Sequence, residues 1–260
     1  MNSPRVLFGN EALTRERSEM QFCLASTVVA GALAGSAFAG IPTMLISVSS
    51  TSGSSGVASP VGSPNGNPDQ YSYTANINQP GFISSFSLIA ADTSVAGREV
   101  LGGTIQLLNT SASVQTFTID FAASTLAQGT SSLTGGSVSG VLTGNSDGGL
   151  FASAGSSIWS AYIRTGANQA TIASLLAAPY SVTTLPDLVS SIPGEAFGTP
   201  IPSQPSIAMG DAAGIHLVFQ LGAGDQVDLS TVFVIQAVPA PGAVAGLALV
   251  GAGMRRRRRH

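Results

Sequence analysis

IHLVFQL at residues 215–221 and LSTVFVI at residues 229–235 are the two segments that decide the fold class of this chain. In both, apolar residues occupy nearly every second position. Successive side chains of a β-strand point to opposite faces, so this period of two predicts strands that are each buried on one side. The residues between them, Gly-Ala-Gly-Asp at 222–225, predict the tight turn of a β-hairpin.

Weaker alternation of the same kind extends through the middle of the chain. It is clear at residues 71–77 and looser at residues 114–121. Three further strands are predicted at residues 82–90, 99–109 and 158–164. Only residues 169–178 have apolar residues at a helical spacing.

Stretches rich in serine, glycine and proline lie at residues 49–68, 129–157 and 192–205. Such stretches have little to bury and predict loops, and we expect the first of them to be flexible. Many short strands joined in this way favour an all-β antiparallel domain over an α/β fold. The expected architecture is a β-sandwich or a jelly-roll-like fold with long Gly/Ser-rich loops.

Charge is distributed unevenly along the chain, whose overall net charge is −3. Residues 40–237 contain no lysine and two arginines, Arg98 and Arg164, against ten acidic residues, which gives this part a net charge of −8. The acidic residues are Asp69, Asp92, Glu99, Asp120, Asp147, Asp187, Glu195, Asp211, Asp225 and Asp228. Nucleic acids and anionic membrane surfaces are bound through clustered lysine and arginine, so this composition argues against both as partners of the domain.

The first 39 residues have the features of an export signal. Residues 22–38 carry no charge, and Ala37, Phe38 and Ala39 form the small-x-small pattern that signal peptidase cleaves, here before Gly40. Met20 is favoured as the true initiator, and a buried core helix is the alternative interpretation of the apolar run. We therefore expect residues 1–39 to engage the export machinery and signal peptidase, and residues 40–237 to form an extracellular domain.

The last 23 residues, 238–260, combine three parts in a fixed order. Val238, Pro239, Ala240, Pro241 and Gly242 come first, residues 243–254 form an apolar run, and Arg255, Arg256, Arg257, Arg258 and Arg259 follow. Twelve helical residues span about 18 Å, which is short of the roughly 30 Å hydrocarbon core of a bilayer. The arginine block is expected to stay on the cytoplasmic side, which leaves residues 40–237 outside.

A proline-x-proline motif, a short apolar helix and a terminal arginine cluster, in this order, resemble a PEP-CTERM sorting signal. Ala240 stands where that motif has a glutamate. The resemblance implies an exported protein that is held transiently in the inner membrane by a C-terminal transmembrane helix and is processed by an exosortase-like membrane enzyme. It also implies a place at the cell surface or in the extracellular matrix, with exopolysaccharide. An ordinary tail anchor and a core helix with a basic end are the alternative interpretations.

Few residues in the domain are suited to catalysis or metal binding. His216 is the only histidine of residues 40–237, and the only cysteine, Cys23, lies in the signal, so the usual nucleophile arrangements and zinc sites lack parts. His216 lies in an alternating segment and is expected to face away from the core. A carboxylate pair or calcium sites at Asp147, Asp225 and Asp228 are conceivable, but loop solvation explains these acids better. We therefore expect no catalytic residue, metal or cofactor.

Four aromatic residues could form a sugar-stacking platform, but core packing is the usual role of such residues and is the favoured interpretation: Tyr71, Tyr73, Trp159 and Tyr162. The sequence thus leaves two functions open. The first is a non-catalytic structural role at the cell surface or in the matrix. The alternative is a lectin-like carbohydrate-binding β-sandwich associated with exopolysaccharide.

Overall fold

The computed structural model describes residues 41–67, 70–91 and 97–238. This part of the chain contains sixteen β-strands and no helix. The strands are β1 Met44–Ser50, β2 Ser55–Ala58, β3 Ser63–Pro64, β4 Gln70–Gln79, β5 Phe82–Ala91, β6 Arg98–Asn109, β7 Gln115–Ser124, β8 Ser132–Thr143, β9 Gly149–Ser153, β10 Ser157–Thr165, β11 Asn168–Ala177, β12 Ser181–Thr184, β13 Val189–Phe197, β14 Gln204–Ser206, β15 Ala212–Leu221 and β16 Gln226–Ala237.

Two antiparallel sheets pack against each other. The back sheet has the order β11-β10-β15-β7-β1-β2, and β9 and β12 extend it beside β15. The front sheet has the order β13-β8-β16-β6-β5-β4-β3, and β14 pairs with one end of β8. The chain crosses between the sheets repeatedly, for instance from β6 to β7 and from β7 to β8. The predicted all-β sandwich is therefore confirmed for the described residues.

One apolar core fills the space between the sheets. The back sheet contributes Phe117, Ile119 and Phe121, and all three are fully buried. Phe117 packs edge-on against Phe82 of the front sheet, with ring centroids 5.8 Å apart. Burial of each such side chain stabilises the fold by roughly 1.5–3 kcal/mol, so this core supplies the main driving force for folding.

The strands that the alternation predicts are confirmed. The four alternating segments form β4, β7, β15 and β16, and the three further predicted strands form β5, β6 and β10. Within β15, the four alternating residues Ile215, Leu217, Phe219 and Leu221 are all fully buried. The period of two therefore identifies correctly which face of each strand packs on the core.

The predicted hairpin at residues 222–225 is wrong. β15 lies in the back sheet between β7 and β10, whereas β16 lies in the front sheet between β6 and β8. The turn carries the chain from one sheet to the other, and both strands pair with segments that are distant in sequence. Alternation defines the buried face of a strand, but it does not define the partner strand.

The predicted helix at residues 169–178 is also wrong, because residues 169–177 belong to β11. This strand pairs antiparallel with β10, from Asn168 opposite Thr165 to Ala177 opposite Ser157. The regular alternation ends at Leu175 and Leu176, which are both buried, and Leu176 has a φ of 53°. Pairing with β10 outweighs the helix propensity of the alanine, leucine and glutamine residues in this segment.

The three predicted loops contain strands as well. Residues 49–68 include β2 and β3, residues 129–157 include β8 and β9, and residues 192–205 include much of β13 and β14. Small residues in β8 allow close packing, since a Cβ added at Gly136 would lie 2.7 Å from the Val232 carbonyl oxygen. Glycine here therefore marks a tightly packed strand. The flexibility of residues 49–68 stays a prediction.

The described chain begins and ends at the same end of the sandwich. The amide of Thr43 donates to Ser124 Oγ at 2.8 Å, and the amide of Val238 donates to the Ser131 carbonyl at 2.8 Å. Ser124 and Ser131 flank the short connection from β7 to β8. The predicted signal and most of the predicted tail lie outside the described residues. Within the described ranges, no helix has the length and apolar character needed to cross a membrane.

Candidate functional site

Most of the predicted sorting and cleavage residues lie outside the described part of the chain. These are Ala37, Ala39, Gly40, Pro239, Ala240, Pro241, Gly242, Arg255, Arg256, Arg257, Arg258 and Arg259. Val238 is the exception. It directly follows β16 and is 36% exposed, so the motif begins where the last strand of the front sheet ends.

The favoured interpretation of the four aromatic residues, packing inside the protein, is confirmed, and the alternative of a sugar-stacking platform is wrong. Trp159 and Tyr73 are fully buried, and Tyr162 is 2% exposed. The Tyr73 hydroxyl donates to the Pro42 carbonyl at 2.6 Å, and the Trp159 Nε1–H donates to Thr231 Oγ1 at 2.6 Å. Tyr71 is half-buried against the same core. Trp159 and Tyr73 help to fill the space between the sheets, and Tyr162 packs in a smaller separate apolar cluster. These three rings are therefore not available to stack on a sugar.

The outer face of the front sheet carries two adjacent rows of polar side chains. The register places one residue of each of the strands β4, β5, β6 and β16 side by side in each row. The first row is Asn76, Ser85, Gln106 and Asp228, and the second row is Thr74, Ser87, Thr104 and Ser230. Their sequence neighbours, such as Ile77 and Ile105, are buried, so all eight side chains face outward.

A depression of about 430 Å³ lies over these rows. Seven of the eight row residues line it, all except Ser230. Within it, Gln106 Nε2 donates to Asp228 Oδ1 at 2.8 Å, and Gln226 Nε2 donates to Asp228 Oδ2 at 2.9 Å. Ser85 Oγ donates to Gln106 Oε1 at 3.4 Å. The Asp228 carboxylate is thereby held in place by two side-chain amides, and one of these amides is itself held by a serine.

Apolar side chains border the two polar rows on both sides. Ile83 and Leu108 are paired with each other and lie just beyond the first row. Ile89 and Val232 lie just beyond the second row, with Gly102 between them. Because neighbouring strands are about 4.8 Å apart, each row of four residues is about 14 Å long, and the two rows are about 7 Å apart. The polar surface is thus a strip that runs across the strands, and the rows beside it are partly apolar and partly polar.

This strip can form many hydrogen bonds to a ligand that is rich in hydroxyl groups. Asparagine and glutamine each offer a carbonyl acceptor and two N–H donors, serine and threonine both donate and accept, and an ionised aspartate accepts only. Such groups match sugar hydroxyls, which also donate and accept. The depression holds no pair of close carboxylates, since Asp228 is the only acidic residue in its lining.

A second polar cluster lies on the outer face of the back sheet. Asp120 accepts a hydrogen bond from the Tyr162 hydroxyl at 2.8 Å, and its other carboxylate oxygen lies 3.1 Å from His216 Nδ1. His216 faces away from the core, as the alternation predicts, with 37% of its side chain exposed. Burial, and then the charge of Asp120 and the hydrogen bond to it, raise the pKa of Tyr162 well above its usual 10.0. The cluster joins three neighbouring strands, β7, β15 and β10.

The acids considered for calcium are engaged within the protein or isolated from one another. Asp225 is 1% exposed, and its two carboxylate oxygens accept the backbone N–H groups of Asn145 at 3.1 Å and Leu150 at 2.9 Å. Asp228 is held by two amides, and Asp147 is exposed in the turn before β9. Among the described residues, no three histidine, cysteine, aspartate or glutamate side chains come together in a way that could hold a metal ion.

No protein-family model and no curated protein matches the chain. Among solved structures, TmCBM61 in complex with β-1,4-galactotriose is similar at a TM-score of 0.25 with 10% identity, over 53% of this chain and 86% of that chain. The CBM22-1–GH10 modules of Clostridium thermocellum xylanase 10B, complexed with xylohexaose, are similar at 0.24 with 13% identity, over 54% of this chain and 22% of that chain. The structure of infectious bursal disease virus, Gx strain, is similar at a TM-score of 0.23 with 12% identity, over 82% of this chain and 59% of that chain. At these TM-scores none of the likenesses assigns a function.

Sequence reasoning missed both polar clusters. The residues of the polar strip come from four strands that span positions 74–230, and only their register brings them together. Each strand does show polar residues at alternate positions, and this signal marks an outer face. The partners of His216 were missed for the same reason, because Asp120 is 96 residues away in sequence.

Proposed function

We propose that residues 40–237 form a non-catalytic carbohydrate-binding domain of an exported cell-surface protein, and that the polar strip of the front sheet holds the sugar. The observation that carries this proposal is the convergence of seven polar side chains from four strands in one depression of about 430 Å³. Ligand sites are usually largely pre-formed concavities with a few well-placed polar groups. The hydrogen-bonded chain from Ser85 through Gln106 to Asp228 keeps these groups in place before a ligand arrives.

Binding in this strip depends on hydrogen bonds rather than on aromatic stacking. The eight row residues offer donors and acceptors at a regular spacing across the sheet, and the apolar side chains beside them can contact the C–H surfaces of a sugar ring. Each net hydrogen bond contributes only about 0.5–1.5 kcal/mol, so several of them are needed for useful affinity. An extended chain of sugars would reach more of the strip than a single sugar does.

The proposal includes the route to the cell surface. The export signal at residues 1–39 and the PEP-CTERM-like tail at residues 238–260 support export, transient anchoring in the inner membrane and processing by an exosortase-like enzyme. Described residues near both ends of the domain, Thr43 and Val238, lie at one end of the sandwich. The polar strip lies on a broad face between the two ends, so a tail leaving after Val238 does not start within the strip.

A structural role in the extracellular matrix is the second candidate function. The observation that favours it is the composition of the outer front face, where the second row consists only of serine and threonine. Such a surface can be strongly hydrated without binding any specific partner. The two functions differ in one measurable property, namely saturable binding to a polysaccharide.

Affinity electrophoresis and calorimetry of residues 40–238 against a panel of soluble polysaccharides test the proposal. We expect saturable binding to at least one of them, and Gln106→Ala should weaken it by about tenfold, because it removes one donor and one of the two amides that hold Asp228. Gln236→Ala is the matched control, since Gln236 is exposed on the same sheet opposite Arg98, away from the depression. Equal effects of the two variants, or no binding to any polysaccharide, would reject the carbohydrate site and leave the structural role.

A further inference from the structure

We propose that the polar strip selects neutral glycans, and that Asp228 is the residue that rejects anionic ones such as uronic acid or sulfated polysaccharides. This inference rests on the proposed carbohydrate-binding function and specifies the class of its ligand. It follows from the position of Asp228 in the strip, from the groups that already contact its carboxylate, and from the absence of cations near it among the described residues.

The carboxylate of Asp228 can only accept further hydrogen bonds. One amide N–H already binds each of its oxygens, from Gln106 at 2.8 Å and from Gln226 at 2.9 Å. A carboxylate has about four lone-pair sites, so about two acceptor positions remain for a ligand. Sugar hydroxyl groups can donate to these positions. A second carboxylate or a sulfate has no proton to donate and adds charge repulsion at close range.

No basic side chain among the described residues offsets this charge. Those residues include two arginines and no lysine. Arg164 belongs to the back sheet, on β10. Arg98 is on β6 eight residues before Gln106, the residue opposite Asp228, so it is about 26 Å away along the strand. That separation is well beyond the Debye length of about 8 Å at physiological ionic strength.

The rest of the domain reinforces the same preference. Residues 40–237 have a net charge of −8, and the other seven row residues are uncharged. An anionic polysaccharide would therefore meet repulsion from the whole domain, and at close range from Asp228. Salt screens the long-range repulsion from the whole domain, but it screens the close contact with Asp228 much less. Varying the salt concentration therefore separates these two contributions to the repulsion.

The test compares neutral glycans, for example xylan, galactan and β-glucan, with polygalacturonate and alginate, at low salt and at about 0.15 M salt. We expect wild-type residues 40–238 to bind at least one neutral glycan and to bind both acidic ones at least about tenfold more weakly at either salt concentration. Asp228→Asn keeps the shape of the side chain and removes its charge. It should reduce the preference for neutral over acidic glycans by at least about fivefold. Asp147→Asn, an equal change of net charge at an exposed position outside the depression, should leave the preference unchanged.

A second variant tests the same proposal independently, in case Asp228→Asn fails to fold. Ser230→Lys places a cation in the second row at an exposed position, and it should raise binding to polygalacturonate several-fold with the melting temperature unchanged. If wild-type protein binds no glycan at all, the proposed function itself fails. If it binds acidic glycans as tightly as neutral ones, or if Asp228→Asn and Asp147→Asn change the preference equally, carbohydrate binding stands and the selective role of Asp228 is wrong.

Discussion

Trp159 and Thr231 connect the two sheets through one hydrogen bond in the middle of the core. Trp159 belongs to β10 of the back sheet and Thr231 to β16 of the front sheet, and the bond from Nε1 to Oγ1 is 2.6 Å long. Thr231 in turn donates to the Ser137 carbonyl at 3.2 Å. A buried polar group is costly when it has no partner, so each member of this chain depends on the next.

Thr231→Val should destabilise the domain by about 1–3 kcal/mol, because it leaves the buried Trp159 N–H without an acceptor. Urea unfolding followed by far-UV circular dichroism measures the effect, because the chain has a single tryptophan and the double-mutant cycle removes it. In a double-mutant cycle, Thr231→Val should cost clearly less in a Trp159→Phe background, where no N–H remains. Strictly additive free energies would show that this bond contributes nothing to stability.

Tyr162 makes the stability of the domain depend on pH in the alkaline range. Its pKa is raised in the folded state by burial and by Asp120, so above pH 10 the folded protein holds a proton that the unfolded chain releases. The contribution of Tyr162 to the free energy of unfolding is therefore fully present below about pH 10, and it is lost as the pH rises beyond that value. Tyr162→Phe should reduce this slope in urea unfolding between pH 9 and about 11.5.

Tyr180 provides the comparison, because burial and Glu195 raise its pKa in the same direction while it lies elsewhere, packed edge-on against Phe151. Its Tyr180→Phe variant should also reduce the slope, but less, since Tyr180 is only half-buried. A slope that is the same in wild type and Tyr162→Phe would contradict the assignment.

At the scale of elements, Asp225 ties together two connections at one end of the sandwich. Its carboxylate accepts the N–H groups of Asn145, between β8 and β9, and of Leu150, in β9, while its own backbone lies in the turn from β15 to β16. Asn145 completes the junction by donating to the Ala223 carbonyl at 2.6 Å. The turn that sequence alone predicts as a hairpin is therefore a crossover held by side chains.

Asp225→Ala should destabilise the domain by about 2–4 kcal/mol, because it leaves two backbone N–H groups without their charged acceptor in a buried position. Thermal and urea unfolding measure this change. Asp147→Ala is the matched control in the same region, and its exposed side chain predicts an effect within about 0.5 kcal/mol. Similar losses in both variants would mean that Asp225 is not what holds the crossover.

At the scale of the whole molecule, the proposed sorting role of residues 238–260 predicts the fate of the protein in its native host. Removal of the chain from Pro239 onward, or replacement of the arginines at 255–259, should release the domain into the medium without C-terminal processing. Intact-mass measurement of the cell-surface and medium fractions reports both cleavage sites at once. A truncated protein that still appears at the cell surface with the same mass as the parent would overturn the sorting hypothesis.

The sequence by itself determined the all-β class and the buried faces of the strands. Ile215, Leu217, Phe219 and Leu221 are buried as their alternation predicts, and His216 between them faces outward. The physical reason is local, since the pleat of a strand turns a period of two in the sequence into one apolar and one polar face. The acidic charge of the domain and the absence of lysine also follow from the sequence alone.

Only the tertiary structure decided which strands pair and which polar residues meet. β15 and β16 look like a hairpin but lie in different sheets, and β11 looks helical until β10 pairs with it. Asn76, Gln106 and Asp228 share one depression because backbone pairing over long sequence separations sets the register. That pairing depends on how all sixteen strands pack around one core, which no local pattern encodes. The face of each strand is therefore a local property, and the candidate site is a global one.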